Sequence, residues 1–155
     1  MSNWDFITGS QNRMLAWKNL RSQLTENLSN EEYLQQVVDF WSRAPLATQH
    51  LDFDDCQNWP DPWQLVHQGD FDSNSVSLAM LYTLCLAEHS RWDSNQLCLL
   101  LLDDHQKQQL SLCVDNTWLL GWEYKTIRDW SQDQLNFNIQ RKYVYYDSSH
   151  IALIS

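Results

Sequence analysis

The sequence predicts an α+β fold: N-terminal helices and one central buried helix, then an antiparallel β-sheet. Three observations carry this. Apolar residues recur at steps of three and four through the first 45 residues, the run VSLAMLYTLCLA (76–87) is apolar on almost every face, and the segments after it are short, β-prone and punctuated by Asp, Asn, Ser or Lys. A chain of 155 residues can bury roughly 70% of its unfolded surface without staples. With 43% hydrophobic residues, three Gly and three Pro, it is neither collagen-like nor disordered. The expected division is a helical segment over 1–45 and an α+β domain over 46–155, joined as one compact unit.

Taken in order, residues 10–27 predict a first helix with Met14, Trp17, Leu20, Leu24 and Leu28 on one face and Arg13, Lys18 and Arg21 outside it. SNEE starts the second: Ser29 caps, Glu32 completes a capping box, and Leu34, Val37, Val38 and Trp41 form the stripe. Pro45 ends it, because the residue before a proline is pushed out of the helical region. An extended connection, PLATQHLDFDDCQNW, follows. In WPDPWQLVHQG, Asp61 caps, Pro62 takes the first helical position, Gln64 completes a second capping box and Gly69 stops a short third helix. The fourth helix runs from Ser73 to Glu88 behind the turn HQGDFD. QLCLLLLDD, QQLSLCVDN, TWLLGWEY, NFNIQRKYVYY and SHIALIS are the strands, with a tight turn at Asp115-Asn116. Between Tyr124 and Asn136, a loop and a short helix at IRDWSQDQ both fit.

Composition narrows the partners. Ten Lys and Arg against twenty Asp and Glu give a net charge of −10, which repels nucleic acid and anionic membranes alike. The longest apolar run, Leu97 to Leu102, is far short of a bilayer span, and MSNWDFITGSQNR has neither the basic start nor the apolar core of a signal peptide. The four Cys lack CxxC pairing and read as reduced, structural thiols. Nine Trp are more large aromatic surface than a small core easily hides, and Trp is enriched at protein interfaces. Trp4 and Phe6, with the rim Trp59, Pro60 and Trp63, are therefore the candidate contacts. That Trp59 and Trp63 merely staple the third helix to the core is an equal reading.

Asp72, at the start of the fourth helix, suits a cap, since a carboxylate there accepts from free backbone N–H groups and complements the helix dipole. None of the thiols is well placed for catalysis: Cys85, Cys98 and Cys113 lie in apolar segments, and the acidic surroundings of Cys56 oppose thiolate formation. DFDD (52–55) and DDH (103–105) lack EF-hand or HExxH spacing and read as solvated turns, so no metal is expected. His67 and His89 flank the fourth helix without sharing a face. With three Gly, no phosphate-cradling motif is possible, and no cofactor is expected.

WPDPWQLVHQGDFDSNSVSLAMLYTLCL (59–86) and LSLCVDNTWLLGW (110–122) carry a resemblance. A buried helix that starts after an aromatic and precedes an antiparallel sheet resembles the transglutaminase-like branch of the papain-like cysteine hydrolases, especially small proteins of tailed bacteriophages such as T4-like cyanophages. The resemblance implies a nucleophilic Cys just after the aromatic, a His opening the second strand and an Asp after a Leu in the third. Those positions correspond to Asp72, Gln109 and Gly121, none of which keeps the family residue. The expectation is therefore a chain that is not an enzyme: a noncatalytic virion protein of tail, baseplate or neck, assembled in the host cytoplasm with other phage virion proteins. The alternative is a divergent cysteine hydrolase or amide-transfer enzyme using Cys56 or an acid-histidine pair such as Asp104 and His105. A third reading, an acidic binder of a host protein, requires ordered rows of charge that the scattered Asp and Glu do not make.

Overall fold

The computed structural model describes residues 9–47, 51–103, 105–121, 123–146 and 150–154. Helix α1 (Ser10–Gln23) follows Gly9, whose φ of 85° is open to glycine. It ends short of the predicted 27, because Leu24 leaves the helical region and turns its side chain into the core. Helix α2 (Asn30–Trp41) begins at the Ser29–Glu32 capping box and buries Tyr33, Leu34, Val37, Val38 and Trp41. The connection to α3 contains a 3-10 turn at Cys56–Asn58. Helix α3 (Pro62–Gln68) has the Asp61–Gln64 capping box at its start and Gly69, φ 72°, at its end. Helix α4 (Ser73–Leu86) is capped by Asp72 and stops two residues before Glu88, where Ala87 becomes extended.

Six strands form one antiparallel sheet: β1 (Leu97–Asp103), β2 (Gln108–Val114), β3 (Trp118–Leu120), β4 (Arg128–Asp129), β5 (Asn138–Tyr146) and β6 (His150–Leu153), in the spatial order β4-β3-β2-β1-β5-β6. Asp115 and Asn116, φ 51° and 53°, make the turn between β2 and β3. The segment from Tyr124 to Asn136, open in sequence, supplies both the two-residue edge strand β4 and a single helical turn, α5 (Trp130–Asp133). Asp129 accepts from the Ser131 amide to start that turn.

Every residue of α4 from Ser75 to Leu84 is buried. β1 and β2 cover one side of it, and α1, α2 and α3 cover the others. Three hydroxyls make its polar positions tolerable. Thr83 Oγ1 accepts from the indole N–H of both Trp17 and Trp41, at 2.9 Å each, and donates to the Ala79 carbonyl at 2.7 Å. Ser77 donates to the Leu110 carbonyl of β2 at 2.7 Å. Ser75 belongs to the cap described below.

The main core runs from Trp17 in α1 to Ile151 in β6. Helices α1 and α2 thus turn their apolar stripes inward onto α4. On the other face of the sheet, Leu100, Leu102, Cys113 and Leu119 are covered by Trp130. The tryptophans divide accordingly. Trp17, Trp41, Trp59, Trp92 and Trp130 are buried, Trp118 is half-buried and Trp63 is exposed; Trp4 and Trp122 lie outside the described residues.

Candidate active site at the start of the central helix

The site begins with the cap of α4. The Asp72 carboxylate accepts from the Ser75 amide at 2.7 Å, and the Asp72 amide donates to the Ser75 hydroxyl at 2.8 Å. Just before it, Phe71 is fully buried and its carbonyl accepts from the Ala47 amide at 2.6 Å, fixing the entry of the chain into the helix. Asp72 is thereby drawn in to 5% exposure. Ser73 and Asn74, half-buried, turn toward the sheet instead. The Asn74 side-chain oxygen accepts from the Leu110 amide at 3.0 Å, which locks the first turn of α4 onto β2.

Ser73, Asn74, Gln109, Gly121, Glu123 and Tyr124 line a narrow cleft of about 10 Å³. Gln109 Nε2 donates to the Tyr124 hydroxyl at 2.6 Å and closes it. Gly121 gives the phenol ring its place: a Cβ there would stand 3.3 Å from the Tyr124 ring and 3.4 Å from Ser111 Oγ. Burial pushes the Tyr124 phenol up, while a hydrogen bond from Ser111 and the charge of Arg128 oppose the shift. The Arg128 guanidinium lies over the ring, 5.1 Å from its centre, and is held by an ion pair with Asp133. Glu123 is paired with Lys107.

Gln109 and Gly121, two of the three positions singled out in sequence, thus share one cleft at the start of α4. Asp72 does not join them, and the side chain in the cleft is that of Ser73. The difference between the two neighbours is local: Asp72 is taken up by the cap, and Ser73 lies against β2 and the segment after β3. The capping box was the signal available: once Asp72 is the cap, Ser73 is the first residue of the helix.

On the other side of the same helix end, Asp72 and Ser75 belong to an open groove of about 350 Å³, whose walls include Asp52, Asp55, Asp70 and Gln64 and whose floor includes Trp59. Trp59 is 8% exposed, stacks on Tyr143 with ring centres 4.8 Å apart and donates its indole N–H to the Asp52 carbonyl at 2.8 Å. It is not the exposed contact that a rim residue would be. Pro60 is half-buried beside it, and its carbonyl accepts from the Tyr82 hydroxyl at 2.7 Å. Trp63, 47% exposed, meets Trp17 edge-on at 5.2 Å and fastens α3 to α1. Trp4 and Phe6 lie outside the described residues.

The other candidates lie apart. Cys56 is half-buried in its 3-10 turn, donates to the Ile151 carbonyl at 3.4 Å and lines neither the cleft nor the groove. His105 is exposed in the β1–β2 turn at φ 75°, and Asp104 is outside the described residues. Burial pushes the Cys85 and Cys113 thiols up to about 12, so neither is an activated thiolate suited to hydrolysis at neutral pH. Among the described residues, no three His, Cys, Asp or Glu are grouped to hold a metal ion.

The fold and the position of the cleft define the class: this is the transglutaminase-like fold, with the start of its central helix set against β2 and the segment that follows β3. Its solved counterparts include LapG of Legionella pneumophila, 16% identical, with a TM-score of 0.70 over 93% of this chain and 79% of LapG. The EGTA-treated form gives 0.71 over 94% and 78%, and the calcium-bound form 0.70 over 93% and 79%. No family model matches the sequence, and no curated protein does. At this identity the likeness shows the fold, and it carries no link to a phage particle. It does overturn the expectation of a chain that is not an enzyme. The fold is shared with LapG, and the residues that stand at 72, 109 and 121 do not by themselves place the chain outside the enzymes.

Proposed function

We propose that this chain is a divergent amide hydrolase or amide-transfer protein that takes an extended polypeptide segment at the amino end of α4, with Ser73 in the nucleophile's place. One observation carries the reading: Ser73, the first residue of the buried helix, lines a cleft bounded by β2 and the segment that follows β3. The Asp72 carboxylate already takes the Ser75 N–H, so a developing oxyanion would draw on the N–H groups of Ser73 and Asn74. The open acidic groove beside it suits a segment bearing Lys or Arg. In the reaction, a bond forms between Ser73 Oγ and the substrate carbonyl carbon and the C–N bond breaks. The hydroxyl proton passes to the leaving nitrogen, and water or an amine then releases the acyl group. Tyr124 must turn out of the cleft to admit the carbonyl. No described imidazole reaches the cleft, and a positioned acid-base group contributes about 10²–10⁴ in rate, so turnover is slow.

The test is hydrolysis of Lys- and Arg-rich fluorogenic peptides by the full chain and by Ser73→Ala. Turnover above buffer that falls to background in Ser73→Ala, with peptide binding retained, is expected. Equal turnover in both proteins, or none in either, overturns the proposal.

A further inference from the structure

On the face of the sheet turned away from α4, Cys98 of β1 and Cys113 of β2 are directly opposite one another in the antiparallel register. Directly opposed residues project to the same face, and both cysteines line one cavity of about 320 Å³ together with Leu100, Trp130, Ile139 and Lys142. Both are free thiols; Cys98 is half-buried and Cys113 buried.

The ladder fixes their separation. The Asp115 amide donates to the Gln96 carbonyl at 2.7 Å, so Gln96 and Asp115 are a hydrogen-bonded pair. Pairs alternate along an antiparallel ladder, which makes Cys98 and Cys113 the next hydrogen-bonded pair, with Cα atoms about 5.5 Å apart. That lies within the range a disulfide requires, whereas the Cβ atoms of a hydrogen-bonded pair, about 5.5 Å apart, must close to about 3.8 Å. A bond made across this pair is feasible and strained, and strained disulfides are the readily reduced ones.

We propose that Cys98 and Cys113 form a modification site: a cross-strand dithiol that a small-molecule disulfide such as oxidised glutathione converts, reversibly, to a disulfide clamping β1 to β2. Cys98 is the entering thiol, being the more open of the two; burial raises it, and Lys142 opposes that rise. Its thiolate attacks one sulfur of the glutathione disulfide and expels one glutathione thiolate. Cys113, a protonated thiol at neutral pH, gives its proton to the glutathione thiolate expelled in the first step, and its sulfur attacks Cys98 Sγ, forming the intramolecular bond and expelling the second glutathione. The two cysteines lose two electrons and two protons, and the oxidant becomes two thiols.

The site stands independently of any activity at α4. The full chain is equilibrated across a series of oxidised to reduced glutathione, quenched with acid, and mapped by intact and peptide mass spectrometry. Expected is an intact mass lower by two hydrogens, a single linkage joining the Cys98 and Cys113 peptides, reversal by reduced glutathione, and loss of that linkage in Cys98→Ser. Four free thiols across the whole series, or a linkage that instead uses Cys56, Cys85 or another chain, overturns it. The wild-type measurement decides this even if the variant does not fold.

Discussion

Thr83 is one hydroxyl serving two buried indoles from different helices, and Thr83→Val keeps the shape of the side chain while removing both bonds. Thr83 and Trp41 are fully buried and Trp17 is 1% exposed, so water cannot take the place of the lost oxygen. A buried donor left without its acceptor costs about 1–3 kcal/mol, and two such donors cost about 2–6 kcal/mol. Against a total stability of about 5–15 kcal/mol, that is a large fraction. Urea unfolding followed by far-UV circular dichroism measures it. With a slope of about 2 kcal/mol per molar, the midpoint falls by about 1–3 M at unchanged slope. Trp41→Phe supplies the control: in the Thr83→Val background one of the orphaned donors is already gone, so the added loss is smaller than in the wild type. A Thr83→Val protein within about 0.5 kcal/mol of wild type, which is the size of an ordinary surface change, refutes the account of how α1 and α2 are held to α4.

Two further predictions concern the cap and the thiols. Asp72→Ala removes the acceptor of the Ser75 amide and destabilises the fold by about 0.5–2 kcal/mol, whereas Asp72→Asn keeps an acceptor and recovers most of it, as thermal unfolding of the pair measures. In alkaline solution the Cys85 and Cys113 thiols, ordinarily near 9.0 and raised to about 12 by burial, retain protons that the unfolded chain has lost. The folded state then binds more protons than the unfolded one, so stability present below pH 9 declines as pH rises from about 9 toward 12. Urea midpoints taken at pH 8, 9 and 10 check the sign, and the decline is smaller in Cys85→Ala.

What was legible in sequence is what local chemistry sets. The Ser29 and Asp61 capping boxes, the Gly69 stop, the Asp115-Asn116 turn and the unbroken apolar run of α4 all appear where residue type and spacing place them. The two-residue strand β4 was not legible, because Arg128-Asp129 has no strand propensity and is held only by pairing with β3. Leu24 was read as helix because its spacing fits; the core beneath it draws it out of the helix instead. In the cleft, Gln109 and Gly121 were found through a resemblance of element order, and Gly121 then acquired a physical reason in the ring of Tyr124. Tyr124 itself carried no signal, since its partner Gln109 is 15 residues away and on another strand. Nor did the cross-strand pair of cysteines: their opposition depends on the register of β1 against β2, which spacing alone does not specify.

The strand order has a consequence for how the chain is made. β1 lies inside the sheet, between β2 and β5, and β5 begins only at Asn138. A ribosome releases α4 and the run LCLLLL well before the strand that completes their cover. Until then, β1 offers an apolar, unpaired edge to any other nascent chain. The segment from Asn138 onward is therefore the closing element of the core, and a chain stopped before residue 138 retains the helices but leaves β1 open on one side. Synthesis of this protein passes through an interval in which its most hydrophobic strand depends on a chaperone or on speed.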